Sequence, residues 1–292
     1  MHPNAEMRKA HCLPFLKWPG GKRWLATRIV DLVKPALTGT YYEPFLGGGA
    51  VFFALNPMRA LLSDANAHLV EAYNEVRDNP EAIVRNLKRM RVSSAQYYKI
   101  RASTPQTSLG RATRFLYLNR TAYGGMYRVN RFGVFNVPFG GGERTPTPLW
   151  ESNLVLRASE ALKGRIISTA DFEEVMDGAR SGDVIYCDPT YTVAHNKNGF
   201  VRYNEKNFAW SDQERLASAA KRCCRRGVMV IISNAAHHSI CDLYPDASIL
   251  DVTRMSLLGR LPASRRRVTE VLVILKPSPK HKRGRPTASA SR

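Results

Sequence analysis

Several patterns that mark common protein classes are absent from this sequence. The cysteines are odd in number and never occur in CxxC spacing, so neither a disulfide framework nor a zinc site is predicted. No apolar run approaches the length of a membrane span, and the N-terminus lacks the apolar core of a signal peptide. We therefore expect a protein of the reducing cytoplasm that has no membrane partner. GxxxxGK[ST] and GxGxxG are also missing, which argues against nucleoside triphosphatases and dinucleotide-binding enzymes.

Acidic residues are scarce relative to basic ones. The chain of 292 residues has 44 lysines and arginines against 24 aspartates and glutamates, a formal net charge of +20. An excess of this size favours a polyanionic partner, most simply nucleic acid, although a merely soluble basic protein is the alternative. The length and the apolar content of 44% allow one large domain or two modest ones.

The most informative stretch is GDVIYCDPTY at residues 182–191. An apolar run between Gly-Asp and Pro predicts a buried strand that ends in a sharp turn. Asp188, Pro189 and Tyr191 follow this strand, at the edge where open α/β sheets bind ligands. A carboxylate beside an aromatic face suits a planar ring that bears an amine, because the acid accepts from the amine and the ring stacks. Taken alone, a strand and an Asp-Pro turn would be the simpler interpretation.

Two glycine turns precede this stretch in the chain. FLKWPGGK at 15–22 places Trp18 and Lys22 around a turn, before an amphipathic helix predicted over 22–33. YYEPFLGGGAVF at 41–52 predicts a strand, a glycine loop and an apolar helix. Glycines in such a loop allow positive φ and close approach of the backbone to a ligand.

A second strand, predicted at 61–64, ends in Asp64. This acid lies at roughly the distance from the glycine loop that suits a ribose-binding carboxylate. Alternatively, it belongs to the N-terminal cap of the next helix, predicted over 68–77.

Residues 80–163 are basic, helical in pattern, and rich in arginine and aromatic residues. A helix predicted over 108–117 leads into a segment of arginine, asparagine, tyrosine and glycine turns. Such a segment suits a loop or hairpin on DNA, because arginine can bond guanine twice and asparagine suits adenine. The alternative is a basic helical insert that packs on the core. With the flanking strands, the pattern predicts a mostly parallel α/β sheet with helices on both faces and a helical insertion.

Together, these stretches resemble the DNA adenine-N6 methyltransferases of the DNA adenine methylase family, from about Phe15 to Lys276 and in that family's order. The tetrad at 188–191 is similar to the Asp-Pro-Pro-Tyr motif, with Thr190 where the second proline is usual. The basic tail over 277–292 is rich in proline and small polar residues that cannot build a core, so it is predicted to be disordered. The resemblance implies a Rossmann-like, S-adenosylmethionine-dependent methyltransferase sheet over 1–79 and 164–276, with a target-recognition insertion over 80–163. It implies methyl transfer to N6 of a flipped adenine in double-stranded DNA, without a metal.

The same resemblance assigns individual residues. Asp188 and the carbonyl of Pro189 accept from the N6 amine, and Tyr191 stacks on the flipped base. Cofactor contacts are expected from Trp18, Lys22, Phe45, Gly47, Gly49, Asp64 and Asp188. DNA contacts are expected from Asn119, Arg120, Tyr123, Arg128, Asn136 and Pro138, with Arg128 at the position of a guanine-contacting arginine. Gly124 and Gly141 depart from the pattern of GATC enzymes, so GATC specificity is not predicted.

The sequence leaves alternatives open for the substrate, the catalytic competence and the partners of the protein. Similar tetrads serve methyltransferases that act on RNA or on protein glutamine, and Thr190 leaves room for a non-catalytic DNA-binding relative. A monomer or weak dimer is expected, and a cognate restriction endonuclease is a candidate partner beside a phage or regulatory setting. Arg265 to Arg267 would bind phosphates or form a solvated turn. Arg-Gly-Arg-Pro at 283–286 resembles the core of an AT-hook. The alternative is a plain basic tail that adds non-specific affinity for DNA.

Overall fold

The computed structural model describes residues 12–130, 132–142, 151–192, 208–255 and 267–277. Within these ranges, seven strands form one sheet in the order β3-β2-β1-β4-β5-β7-β6. The strands are β1 (Tyr41–Glu43), β2 (Ala60–Asp64), β3 (Ile166–Thr169), β4 (Val184–Cys187), β5 (Met229–Ala235), β6 (Ser248–Met255) and β7 (Arg267–Leu275). The first five are parallel, whereas β7 runs antiparallel to both β5 and β6. This confirms the predicted Rossmann-like α/β sheet, whose strand order reverses between β1 and β4.

Helices cover both faces of this sheet. They are α1 (Ala26–Val33), α2 (Ala50–Leu55), α3 (Ala67–Asp78), α4 (Pro80–Arg89), α5 (Ser94–Ala102), α6 (Ser108–Thr121), α7 (Ser152–Leu162), α8 (Phe172–Asp177), α9 (Trp210–Arg225) and α10 (His238–Asp242). No helix in the described ranges is long and apolar enough to cross a membrane.

Side chains of the strands alternate between two hydrophobic cores, as the two-residue period of a strand requires. Val184, Ile231 and Leu272 belong to one core with α1 to α7, which we call the α1 face. Ile185 and Val230 belong to the other core with α8 to α10. Because both faces are covered, the central strand β4 and the first four residues of β5 are continuous apolar runs in sequence.

The region predicted as an insertion is helical, and its helices join the core of the α1 face. Leu116 and Tyr117 of α6 are buried in the same cluster as Leu69 and Tyr73 of α3. Helix α6 ends at Thr121, four residues later than predicted, because Leu118 and Thr121 continue its buried surface. The division into domains at 79/80 and 163/164 therefore stays a prediction, since one core crosses both boundaries.

Candidate active site

The tetrad begins where β4 ends, beside the next parallel strand. Cys187 pairs with Ile232, so Asp188 follows opposite Ser233 of β5. The Ser233 hydroxyl donates to Oδ1 of Asp188 at 2.7 Å and lies 3.0 Å from the Tyr186 hydroxyl. Asp188 is thus oriented by a side chain that the sheet itself fixes. Its place is the carboxyl edge next to the strand-order reversal, where α/β sheets bind ligands.

A buried lysine joins this carboxylate to a second one. Lys22 Nζ lies 3.0 Å from Oδ1 of Asp188 and 3.3 Å from Oε2 of Glu270, and it donates to the carbonyl of Gly20 at 3.2 Å. The side chains of Lys22 and Glu270 are 5% and 2% exposed, whereas that of Asp188 is 22% exposed. Of these three side chains, Asp188 is therefore the most accessible.

Tyr191 is fixed to the same cluster by its hydroxyl and by its ring. The hydroxyl donates to Oε2 of Glu270 at 2.8 Å, and Lys22 Nζ lies 4.8 Å from the ring centroid. An ammonium at this distance is attracted by the face of the ring. The four side chains, Lys22, Asp188, Tyr191 and Glu270, form what we call the charge cluster.

Burial sets the protonation of the carboxyl groups. Desolvation raises the pKa of Asp188, while Lys22 and Ser233 oppose that shift by stabilising the carboxylate. Glu43, at the end of β1, accepts from the Tyr41 hydroxyl at 2.7 Å, and burial raises its pKa to about 8. Glu43 is therefore mostly protonated at neutral pH, which limits the negative charge around the cluster.

The backbone after the tetrad is held by amide side chains. Gln213 of α9 donates to the Thr192 hydroxyl at 3.3 Å and accepts from Asn234 of β5 at 3.0 Å. Gln213 and Asn234 are fully buried, Pro189 is buried, and Thr190 is exposed. Residues 193–207, which follow Thr192, lie outside the described residues.

The glycine loop lies next to the same edge, between β1 and α2. Asp64 accepts from the backbone N–H of Gly47 at 3.0 Å and of Asn66 at 2.9 Å. Asn66, rather than Asp64, caps α3, because its side chain accepts from the first backbone N–H groups of that helix. Each oxygen of Asp64 keeps a lone pair, so its two protein bonds leave room for hydroxyl donors.

The loop's glycines are required by their neighbours. A Cβ at Gly47 would lie 2.9 Å from the Trp18 ring, and one at Gly49 would lie 2.9 Å from the Tyr73 hydroxyl. Both glycines also have positive φ. In the structure, the backbone at Gly47 closely approaches the Trp18 ring. The sequence-based prediction was a close approach to a ligand.

Aromatic rings border this loop on two sides. Trp18 stacks on Tyr127, with ring centroids 6.0 Å apart. Phe45 stacks on Phe172 at 5.3 Å and meets Phe208 edge-on at 5.6 Å. The predicted cofactor residues Trp18, Phe45, Gly47, Gly49 and Asp64 are thus gathered around one loop. Lys22 is displaced from them into the charge cluster.

The segment after α6 forms the predicted hairpin. Ala122 bridges to Phe139 and Val129 bridges to Phe135. Across the hairpin, Nε of Arg128 donates to Oδ1 of Asn136 at 2.8 Å, so two of the predicted DNA contacts support one another. Tyr123 is 59% exposed, and its backbone N–H donates to the carbonyl of the exposed Pro138.

Asn119 and Arg120 lie on α6 rather than in the hairpin. The amide of Asn119 accepts from the backbone N–H of Lys17 at 3.0 Å and donates to its carbonyl at 2.7 Å. With 2% exposure, this amide is not accessible for the predicted DNA contact. It instead fastens the segment that carries Trp18 and Lys22, because the end of α6 is part of the core.

Three polar residues of the site had no role in the sequence-based prediction: Glu43, Ser233 and Glu270. By strand alternation, all three project to the α1 face, as Asp188 does when it continues β4. For Glu270, the available signal was an acid directly before the apolar run VLVIL of the same strand. Such an acid is almost never buried unless it is paired.

Comparison with known proteins places this arrangement in a family. Residues 18–257 match the family described as "D12 class N6 adenine-specific DNA methyltransferase". A Type II methyltransferase of Lactococcus lactis subsp. cremoris is 34% identical over 279 residues, which cover 92% of this chain and 97% of that one. A DNA adenine methylase of Vibrio cholerae is 34% identical over 270 residues, covering 90% and 96%.

A solved precorrin-6y C5,15-methyltransferase from Geobacter metallireducens is similar over 90% of this chain and 97% of that one, with a TM-score of 0.39 and 9% identity.

Proposed function

The chain belongs to the D12 class of N6 adenine-specific DNA methyltransferases, and on that premise we propose that the charge cluster is its catalytic centre. The enzyme transfers a methyl group to N6 of adenine in DNA. The observation that carries the assignment is Asp188. It is the one accessible carboxylate of a buried cluster, held by Ser233 and Lys22 at the ligand-binding edge of the sheet.

The target adenine must leave the duplex before N6 can react, because the amine is otherwise paired and stacked. Tyr191 would receive the extruded base on the ring face opposite Lys22. Its hydroxyl bond to Glu270 fixes the ring plane, so the stacked base has one orientation relative to Asp188. This fixed orientation supplies part of the rate through positioning.

Asp188 and the carbonyl of Pro189 would each accept one hydrogen of the N6 amine. The protein contacts of Asp188 are both to Oδ1, so Oδ2 is the oxygen assigned to the substrate. These two bonds draw the amine out of conjugation with the ring and aim its lone pair along the transfer direction. As N6 gains positive charge, the nearby carboxylate stabilises it.

The donor would be S-adenosylmethionine, bound along the glycine loop. When bound, it would supply the methyl group from its sulfonium sulfur. Asp64 has lone pairs left for two ribose hydroxyls, and Gly47 and Gly49, which both have positive φ, shape the loop along which the donor would lie. Trp18 and Phe45 supply aromatic faces beside the loop, whereas Lys22 is buried and paired with Asp188 and Glu270 and is not assigned to the donor's carboxylate.

The hairpin would read the DNA sequence. Arg128, braced by Asn136, is assigned to a guanine edge, and Tyr123, Arg120 and Pro138 are assigned to neighbouring contacts. Gly124 and Gly141 bring no side chain to the positions where they depart from GATC enzymes. The recognised site is therefore proposed to differ from GATC in at least one base.

Expression of the gene in a host free of adenine methylation tests this function directly. Sequencing with detection of modified bases should find N6-methyladenine at one short motif and none with Asp188→Ala. An unmodified genome with the wild-type protein, or modification that persists with Asp188→Ala, would contradict the assignment.

A restriction–modification setting is the second part of the proposal, because the Lactococcus relative is named a Type II methyltransferase. In that setting, the enzyme would protect host DNA from an endonuclease that cuts at the same motif. DNA recovered from the expressing host should then resist cleavage by an enzyme specific for that motif. Complete cleavage of fully modified DNA would argue for a different setting.

A further inference from the structure

We propose that Glu270 is a positioning residue for methyl transfer, which holds Tyr191 and Lys22 in place beside Asp188. The proposal rests on the function assigned to the charge cluster. It adds a residue from the last strand of the sheet, which lies far from the tetrad in sequence and belongs to none of the motifs that carry the resemblance.

The antiparallel direction of β7 brings Glu270 to the site. Glu270 pairs with Ala235, the last residue of β5. Because β7 runs opposite to the parallel strands, its early residues lie at their carboxyl edge. Leu272 and Ile274, which share the parity of Glu270, point into the core of the α1 face. Glu270 therefore faces the same side as Asp188.

One oxygen of Glu270 serves two partners. Oε2 accepts from the Tyr191 hydroxyl at 2.8 Å and lies 3.3 Å from Lys22 Nζ. Burial and the nearby carboxylates raise the pKa of Tyr191, so its hydroxyl stays protonated and remains a donor. The same oxygen thus fixes the stacking ring and one side of the lysine that contacts Asp188.

A purely structural reason for this acid is weak. A buried carboxylate costs several kcal/mol in desolvation, and well-packed apolar residues often replace a buried ion pair without loss of stability. Glu270 is 2% exposed and directly precedes the apolar run at 271–275 of β7. Its placement is accounted for by the two groups that it orients.

Two consequences follow when the negative charge of Glu270 is removed. Among the described residues, Lys22 then keeps Asp188 as its one carboxylate partner, besides the Gly20 carbonyl and the Tyr191 ring, and the Tyr191 hydroxyl loses an ionic anchor. The groups that face Asp188 are Lys22 from the loop before α1, Tyr186 of β4, Ser233 of β5, Glu43 of β1, and Tyr191 and Glu270. Of these, Glu270 is a negative neighbour that raises the pKa of Asp188, so its removal shifts protonation of Asp188 to lower pH.

The test is single-turnover methyl transfer to an oligonucleotide duplex that contains the target site, measured across pH. Glu270→Gln keeps the size and an acceptor but removes the charge. We expect a rate ~10- to 100-fold lower, as misplacement of a reacting group produces, with DNA affinity and donor affinity within about threefold of wild type. The acidic limb of the rate profile should move to lower pH, and Glu270→Asp should recover part of the rate.

A double-variant cycle with Tyr191→Phe distinguishes positioning from general damage. If Glu270 acts partly through the Tyr191 hydroxyl, the losses of the two single variants should not multiply in the double variant. A wild-type rate in Glu270→Gln, fully multiplied losses, or a uniform loss at every pH would each overturn the proposal. Thermal unfolding of each variant checks that it is folded, and the wild-type rate on the same duplex separately tests the proposed function.

Discussion

The charge state of Asp188 depends on the residues around it. It keeps a partly exposed carboxylate while burial raises its pKa, because Lys22 and Ser233 stabilise the ionised form. Because Glu43 is mostly neutral at pH 7, Asp188 and Glu270 are the two carboxylates that share the ammonium of Lys22. The charge of the site is thus set by three carboxyl groups, those of Glu43, Asp188 and Glu270, and by the ammonium group of Lys22.

Asp188→Ala should lower single-turnover methyl transfer by ~10²-fold or more, as removal of a preorganised charge partner does. Binding of the methyl donor, followed by calorimetry, should be largely retained. Asp183→Ala is the matched control. That carboxylate lies at the other end of β4, where it accepts from Thr40 and Arg180 backbone N–H groups. The control should lower stability but not the rate of the folded enzyme, and equal rates for the two variants would contradict the account.

Thr190→Pro should be tolerated in the turnover assay. Thr190 is exposed, and its backbone N–H donates no hydrogen bond within the described residues, so proline removes no existing bond. Asp188, the Pro189 carbonyl and Tyr191 are unchanged by the substitution. A variant that folds, by circular dichroism, but does not turn over would show that the backbone of this turn differs from that of a Pro-Pro tetrad.

Glu43→Gln should flatten the pH dependence of stability. The pKa of Glu43 is raised from 4.5 to about 8 in the folded protein, so folding takes up a proton between these values. The stabilisation is complete below the unfolded pKa and is lost as pH rises through about 8. The melting temperature of wild type relative to the variant should therefore fall from pH 5 to pH 9. A constant difference across this range would mean that Glu43 does not titrate there.

Local sequence patterns predicted individual strands, loops and helices, but they did not predict which of these elements pack against one another. The apolar runs and their glycine and proline boundaries predicted the strand before Asp188, the glycine loop and the hairpin. The pairing of β7 between β5 and β6 cannot be deduced from local sequence, because strand order depends on packing of the whole sheet. The sequence-based prediction missed Glu270 for that reason. It also assigned Asn119 to DNA, because the contact that buries Asn119, between α6 and the segment around Lys17, cannot be deduced from local sequence.

The hairpin after α6 is expected to determine the sequence preference of the enzyme. Arg128→Ala should relax sequence preference at one base pair, costing ~1–3 kcal/mol of discrimination. Arg225→Ala is the matched control, since it removes the same charge from the exposed end of α9, whose apolar face packs on the opposite side of the sheet. Competition binding with substituted duplexes makes the comparison. A uniform loss of affinity on all duplexes with Arg128→Ala would assign that residue to phosphate instead.

Over the whole molecule, acidic partners neutralise the positive charge unevenly. Arg215, Arg222 and Arg226 of the α9 region pair with acids of the α8 region, such as Asp171, Glu173 and Asp177. These exposed pairs contribute little stability each, ~0.2–1 kcal/mol, and they leave little net charge on that side. The remaining excess includes the predicted basic tail, which lies outside the described residues.

Truncation after Pro277 should leave turnover on short, saturating DNA unchanged. It removes Lys280, Lys282, Arg283, Arg285 and Arg292, so DNA binding should weaken and become less dependent on salt. The salt slope should fall by about 0.9 for every phosphate that the shortened protein no longer neutralises. A larger loss on A·T-flanked than on G·C-flanked sites would support the AT-hook reading. Equal losses would support a plain basic tail, and unchanged affinity on both would exclude either role.

Methyl transfer to N6 of adenine in duplex DNA can be measured on the purified protein. The most direct measurement is to incubate the purified protein and methyl-labelled S-adenosylmethionine with duplex DNA, RNA or protein, digest each polymer and identify the labelled product by mass spectrometry. The account predicts N6-methyldeoxyadenosine from duplex DNA. Label found only in RNA or in protein glutamine, in another DNA base, or in none of these polymers would contradict it.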